Sequence, residues 1–353
     1  MIQRKHLIVL IMIFFLYKLK FYGISGKALQ IYQSCLGNRY CRTAINYGDE
    51  NSNKVSNWAK IKHGVPQGSI WGPLLFLLYI NDLPKIINKT SASIIFADDT
   101  SILFTHSNLI DFNKNISIVF ATLNKWLGAN QLSLNFNTTN YVHFTTKRNK
   151  SVNLQIGFNN NFIINSFHTK FLGVTMNTTL SWNNHIDLLV KKLSKACYII
   201  RNAKTCMSAP SLEMIYYAFF HSIMSYGIIF WGNSLHSNII FRLQRKVIRI
   251  MEGCGNRVSC KSLFKKFQIL PLKSQLVLSL LMFVVQNKTL FLTNTKNYNL
   301  DTRQGNNLYL PQATLTIYQK GAYYSGIKIL NNLLMDYTRN SNLLVTRKNL
   351  KLL

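Results

Sequence analysis

Acidic residues are scarce in this chain: 11 Asp and Glu stand against 41 Lys and Arg in 353 residues, for a formal charge of +30. Three of those carboxylates, Asp82, Asp98 and Asp99, fall close together, so the rest of the surface is expected to be basic or neutral. A positive field of that size attracts polyanions, of which nucleic acid is the commonest in cells. Affinity for such a partner should fall steeply with salt as condensed counterions are released.

Paired cysteines are missing too. Cys35, Cys41, Cys197, Cys206, Cys254 and Cys260 contain no Cys-x-x-Cys pair, and no histidine is spaced to complete a zinc knuckle. That pattern excludes the usual structural zinc frameworks and a dense disulfide scaffold. Reduced thiols in an intracellular protein, used as small core residues, are the expected reading. Long apolar runs are also wanting. The most apolar stretch near the start, Leu7 to Tyr17, covers eleven residues, against the roughly twenty needed to span a bilayer. Lys18 and Lys20 follow it where a cleavage site would need small residues, so secretion, membrane insertion and stable membrane association are not expected. No acidic residue precedes Asp49.

The informative positive feature is the tetrad Phe96-Ala97-Asp98-Asp99, set between the β-prone runs Ser93-Ile94-Ile95 and Thr100-Ser101-Ile102-Leu103-Phe104. Adjacent carboxylates repel each other, and hard divalent cations offset that repulsion. Asp-Asp is equally an ordinary turn dipeptide, so the tetrad alone does not decide between a metal site and a solvated turn. About thirty positions upstream lies Gly64-Val65-Pro66-Gln67-Gly68-Ser69, feeding the apolar segment Ile70 to Leu83. Gly64 and Gly68 allow a ligand close to the backbone, Ser69 can cap a helix, and Pro84 is expected to end it.

Together, these two motifs closely resemble motifs B and C of reverse transcriptases from non-LTR retrotransposons, particularly LINE-type, jockey-like elements. The likeness continues through Leu16 to Arg39, through Leu123-Asn124-Lys125-Trp126-Leu127 to Asn135 (motif D), and through Lys170-Phe171-Leu172-Gly173-Val174 (the motif E primer grip). Further on, Ser181-Trp182 to Ile186, Tyr226-Gly227, Trp231-Gly232 and Pro311-Gln312 are similar to the thumb and post-thumb region of the same elements.

The resemblance implies an α+β fold: a partial polymerase palm, with antiparallel sheet and helices, followed by a mostly α-helical thumb-like region. It implies RNA-directed DNA polymerisation by two-metal nucleotidyl transfer, with Mg²⁺ or Mn²⁺, an RNA template, a DNA primer and deoxynucleoside triphosphates as partners. Asp98 and Asp99 would be the catalytic metal ligands; Gln67, Gly68, Phe96 and Ala97 would frame the nucleotide; Lys170, Phe171, Leu172 and Gly173 would hold the primer. Two departures bear on activity. Motif A, with its metal-binding aspartate, has no counterpart, and Thr138 stands where motif D usually carries a lysine. With freely chosen third codon bases, residues 1–14 read in a shifted frame can spell Phe-Asp-Cys-Val-Asn-His, which resembles motif A and suggests a frameshift near Phe14 and Phe15. The chain is therefore expected to be a truncated copy. Two alternatives stand beside the polymerase: a non-catalytic nucleic-acid-binding remnant, and a membrane-anchored protein that uses Leu7 to Tyr17 as written.

The expected organisation is an apolar leader over 1–15, a partial palm over 16–175, a helical region over 176–286, and a tail over 287–353 with no assigned role. The pattern predicts a loop or finger-side segment over 40–62, a hairpin over 93–104, a helix over 116–127 and a strand over 141–144. Helices are predicted over 186–200, 212–229 and 241–251. The last places Leu243, Val247 and Ile250 on one side and Arg242, Arg245, Lys246 and Arg249 on the other. That basic face fits a solvated helix surface and, in a thumb, a phosphate backbone.

Overall fold

The computed structural model describes residues 12–46, 53–61, 68–88, 90–97, 99–145, 154–158, 161–299 and 304–339. They divide into two compact units, one of residues 1–141 and 151–166 and one of residues 142–150 and 167–353. The fold is α+β, as the sequence predicts.

The first unit begins with α1 (Met12–Phe21) and α2 (Gly26–Leu36), then β1 (Arg39–Cys41), β2 (Ala44–Asn46), β3 (Asn53–Val55) and β4 (Ala59–Ile61). These four strands pair in nested antiparallel fashion, β1 with β4 and β2 with β3, where the sequence predicts a loop or finger-side segment. Next come α3 (Trp71–Ile80), α4 (Leu83–Ile87), the hairpin β5 (Ala92–Phe96) and β6 (Asp99–Leu103), and α5 (Leu109–Ala129). The helix predicted over 116–127 is thus longer than its apolar spacing suggests. Its start is set by Asn108, whose side-chain oxygen accepts from the Ile110 amide at 3.0 Å. The strand predicted over 141–144 shrinks to β7 (Asn140–Tyr141), because its pairing partner, β10 (Ile164–Asn165), is equally short; these two run parallel. Between them lies the small ladder β8 (Gly157–Phe158) with β9 (Asn161–Phe162).

The core of this unit joins Phe15 and Leu19 of α1 to Leu75, Phe76, Tyr79 and Ile80 of α3, and to Val119, Leu123, Trp126 and Leu127 of α5. Phe15 is fully buried on α1. Residues 1–11 lie outside the described residues. Ser69 behaves as predicted, accepting from the Gly72 amide at 3.1 Å. Pro84 does not end α3, which stops at Ile80; it sits in the first turn of α4, where its missing N–H costs nothing.

The second unit opens with the hairpin β11 (His168–Phe171) and β12 (Val174–Asn177) and continues with α6 (Asn183–Ala203). The segment 212–229, predicted as one helix, is broken. It comprises α7 (Ala209–Ile215), a π-helical stretch Tyr216–His221, α8 (Ser222–Ser225) and, beyond Tyr226–Gly227, α9 (Ile228–Trp231). The break falls where Tyr226 is extended and Gly227 takes φ +61°. Then follow α10 (Ser237–Glu252), α11 (Lys261–Lys266), α12 (Leu272–Gln286), α13 (Asn294–Tyr298), α14 (Thr316–Gln319) and α15 (Ala322–Arg339). The principal core packs α6 and α10 around Ile186, Leu193, Ile200, Tyr216, Trp231, Ile240 and Val247. Gln244 is fully buried within it, and its amide is satisfied: it donates to Tyr216 Oη at 3.1 Å and to Leu270 O at 2.9 Å and accepts from the Leu272 amide at 2.9 Å. Val284 of α12, Phe291 and Ile327 of α15 form a smaller core.

Among the described residues, no helix is long and apolar enough to cross a membrane.

Candidate nucleotidyl-transfer site and nucleic-acid interface

The Phe96-Ala97-Asp98-Asp99 tetrad caps an antiparallel hairpin in the first unit. Ala92 to Phe96 pair with Leu103 to Asp99, and Phe96 opposite Asp99 is the closing pair, so the loop is only two residues long. Tight two-residue loops demand positive φ at their first central position. Ala97 adopts φ +51°, an uncommon conformation for a residue with a Cβ. Asp99 is half-buried, and among the described residues its carboxylate has no hydrogen-bond or ion-pair partner. Asp98 lies outside the described residues. Phe96 is 60% exposed and Ala97 is exposed, so neither packs into the core beneath the hairpin.

Of the loop before α3, Gly68 is described and Gln67 lies outside the described residues. Gly68 has φ +81°, and a methyl group built on it would meet nothing within 4 Å among the described residues. Open space beside a left-handed glycine is suited to close approach of a ligand.

The third carboxylate of the cluster has a different occupation. Asp82 Oδ1 accepts from Lys18 Nζ at 2.9 Å, and its Oδ2 accepts from Trp126 Nε1 at 3.2 Å. The same ammonium donates to Tyr79 O at 2.6 Å and lies over the Tyr79 and Trp126 rings, 4.7 and 5.1 Å from their centroids. Burial pushes the Lys18 pKa down, and the bond and charge of Asp82 oppose that shift. Burial, with Asp82 adding to it, pushes the Tyr79 phenol up to about 12. Asp82 thus ties α1, the end of α3 and α5 together. Among the described residues no group of three or more His, Cys, Asp or Glu is placed to hold a metal ion.

The remaining expected residues belong to the second unit. Lys170 to Gly173 form the end of β11 and the turn into β12; Lys170 is exposed and Phe171 half-buried. On α10, the four basic residues are not equivalent. Arg242 and Lys246 are exposed. Arg249 Nε donates to Val258 O at 2.9 Å, and the Arg245 guanidinium sits 5.1 Å from the Phe241 ring centroid with its Nε buried and unpartnered among the described residues. Half of the predicted basic face is therefore committed to local packing, a distinction that spacing alone does not reveal. Arg201 on α6 and Lys246 on α10 each counter the upward push that burial gives the Cys197 thiol.

Comparison with known proteins is consistent with this layout. Residues 14–176 match the family described as reverse transcriptase (RNA-dependent DNA polymerase). The chain is 27% identical over 208 residues to the probable RNA-directed DNA polymerase from transposon X-element of Drosophila melanogaster, an alignment covering 57% of this chain and 23% of that protein. It is 25% identical over 227 residues to the probable RNA-directed DNA polymerase from transposon BS of the same species, covering 61% and 25%. With the RNA-directed DNA polymerase from mobile element jockey of Drosophila funebris it shares 24% over 214 residues, covering 55% and 22%. The chain spans about a quarter of the length of these curated relatives. Residues 14–176, which hold the loop before α3 and the carboxylate hairpin, are therefore the part of the chain that is similar to the reverse transcriptase domains of the Drosophila non-LTR transposons.

Proposed function

We propose that the chain is a nucleic-acid-binding polymerase domain that extends a DNA primer on an RNA template from deoxynucleoside triphosphates. The observation that carries this reading is the pairing of the Gly68 loop, leading into α3, with the two-residue Ala97–Asp98 turn within one matched family segment.

The donor chemistry suits a divalent ion. Asp99 offers a carboxylate unengaged among the described residues, and hard oxygen donors match Mg²⁺ or Mn²⁺. Asp98 and Asp99 would hold the metal, which supplies Lewis-acid stabilisation of charge on the transferring phosphate when bound. Gly68, with Gln67 before it, frames the nucleotide through backbone that can be approached closely. Lys170 to Gly173 hold the primer end. Arg242 and Lys246 lie along the phosphate backbone, with Arg245 and Arg249 supporting them.

Thr138, neutral near pH 7, cannot supply the positive charge of a motif D lysine. Loss of one preorganised electrostatic group costs roughly 10²–10³ in rate, so extension by this chain is expected to be slow. The net charge of +30 favours a second reading, nucleic-acid binding without turnover. Primer extension on an RNA template with Mg²⁺ or Mn²⁺, comparing this chain with Asp98→Ala, separates the two. Extension lost in the variant supports the polymerase; equal signals from both would remove Asp98 from the chemistry.

A further inference from the structure

The turn between β11 and β12 is strained. Phe171 pairs with Val174, leaving a two-residue loop in which Leu172 has φ +45° and Gly173 φ +85°. Positive φ at both positions is the geometry that Asn-Gly or Gly-Gly normally supplies. A branched aliphatic residue adopts the first position only where its surroundings over-determine the backbone.

Those surroundings come from the break between α8 and α9. The Tyr226 hydroxyl donates to the Leu172 carbonyl, across 54 positions of sequence. The Tyr226 ring also closes over the turn's second residue: a methyl group built on Gly173 would stand 3.3 Å from Tyr226 Cε1. Gly227 lets the backbone come close beside it, since a methyl there would stand 3.1 Å from Val174 Cγ2. Tyr226 is in turn anchored to the core, because the fully buried Trp231 donates from Nε1 to Tyr226 O at 3.1 Å. A second tie lies one step along β12, where the Thr175 amide donates to Nδ1 of His185, itself buried between Trp182 and Trp231. The hairpin is thus fastened at its tip and at its buried strand to helices of its own unit.

We propose that Tyr226 is a positioning residue for the primer terminus, fixing the Leu172–Gly173 turn so that Lys170 and the turn's backbone meet the primer's 3′ end in one geometry. This rests on the reading that Lys170 to Gly173 hold the primer. Tyr226 acts through Leu172 and does not itself touch nucleic acid.

The test uses the full chain and fluorescence anisotropy at one fixed salt concentration. One probe is an RNA template annealed to a DNA primer with a recessed 3′ end; the other is the same RNA single-stranded. Tyr226→Phe removes one hydroxyl from a side chain that is 55% exposed, so the helical core should stay folded. Hydrogen exchange over 183–203 verifies this, while exchange over 168–177 should quicken as the turn loosens. The variant is expected to lose about three- to tenfold in affinity for the hybrid, the worth of one neutral hydrogen bond, and nothing for the single strand. Faster exchange with unchanged hybrid affinity would make the contact merely structural and overturn the proposal, as would equal losses on both probes. If the unsubstituted chain binds both probes alike, the primer-holding reading fails, and this proposal with it. If it prefers the hybrid and the variant keeps that preference, only the role of Tyr226 fails.

Discussion

Replacing Asp82 with alanine should destabilise the first unit by about 2 kcal/mol. Two interactions are lost at once. The Lys18–Asp82 bond, at 2.9 Å with side chains 12% and 34% exposed, is charge-assisted, and such bonds contribute about 1.5–3 kcal/mol. The Trp126 indole donor, which now reaches Asp82 Oδ2, adds about 1 kcal/mol. Water at the partly exposed carboxylate and the surviving bond from Lys18 to Tyr79 O offset part of that sum. The remaining cost comes from removing the carboxylate beside an ammonium that lies over two aromatic rings. Hydrogen exchange in mild urea reads each unit separately: the amides of α3 and α5 should lose protection in Asp82→Ala while those of α10 keep theirs. The double variant Lys18→Met/Asp82→Ala should recover part of the loss, because it removes the desolvated ammonium together with its carboxylate. A change below about 0.5 kcal/mol in α3, within the range of an ordinary surface substitution, would refute the reasoning. It would also return Asp82 to the pool of carboxylates available for a metal.

Two further outcomes follow from the second unit. His185 and His221 both have pKa values pushed below 6.5 by burial; the charge of Lys192 reinforces the shift at His185, and the Gln275 hydrogen bond opposes it at His221. A depressed folded pKa means that the unfolded chain takes up protons first, so stability is full above pH 6.5 and falls as pH drops through 6.5 toward the folded values. Thermal melts between pH 8 and pH 5 should show this fall, and His185→Gln should flatten it. On α10, Arg242→Ala and Lys246→Ala should each lower the slope of log affinity against log salt for RNA by about 1, measured by salt titration. Arg249→Ala should change that slope less and stability more, since its Nε is spent on Val258 O.

Much of the local structure is legible in the residues themselves. β-prone runs on either side of the tetrad Phe96 to Asp99 predict a hairpin, and one forms, with Phe96 paired to Asp99 so that its loop is tighter than the tetrad. Apolar residues at helical spacing locate α5, α6 and α10, although capping by Asn108 and the packing of the ends extend them beyond the periodic stretch. Ser69 announces the start of α3. Motif spacing carries the family likeness over the first half of the chain. Where the sequence misleads, the competing term is tertiary. The apolar segment 212–229 satisfies a helix pattern throughout, but the Trp231 bond to Tyr226 O and the left-handed Gly227 divide it. Residues 40–62 look like polar loop because short, exposed ladders need little apolar alternation.

By itself, then, the sequence determined the charge, the pair of motifs and the helices and hairpins that short-range periodicity can encode, because each of these depends on neighbours within a few residues. Only the tertiary structure decided which polar groups are spoken for. Asp82 sits beside the motifs in sequence yet is bound by Lys18 and Trp126. Arg245 and Arg249 share a helix face with Arg242 and Lys246 yet pack locally. Leu172 holds an unfavourable backbone angle, and its carbonyl accepts from a hydroxyl 54 positions away. Such pairings join residues that local pattern treats as independent, and burial sets what they are worth.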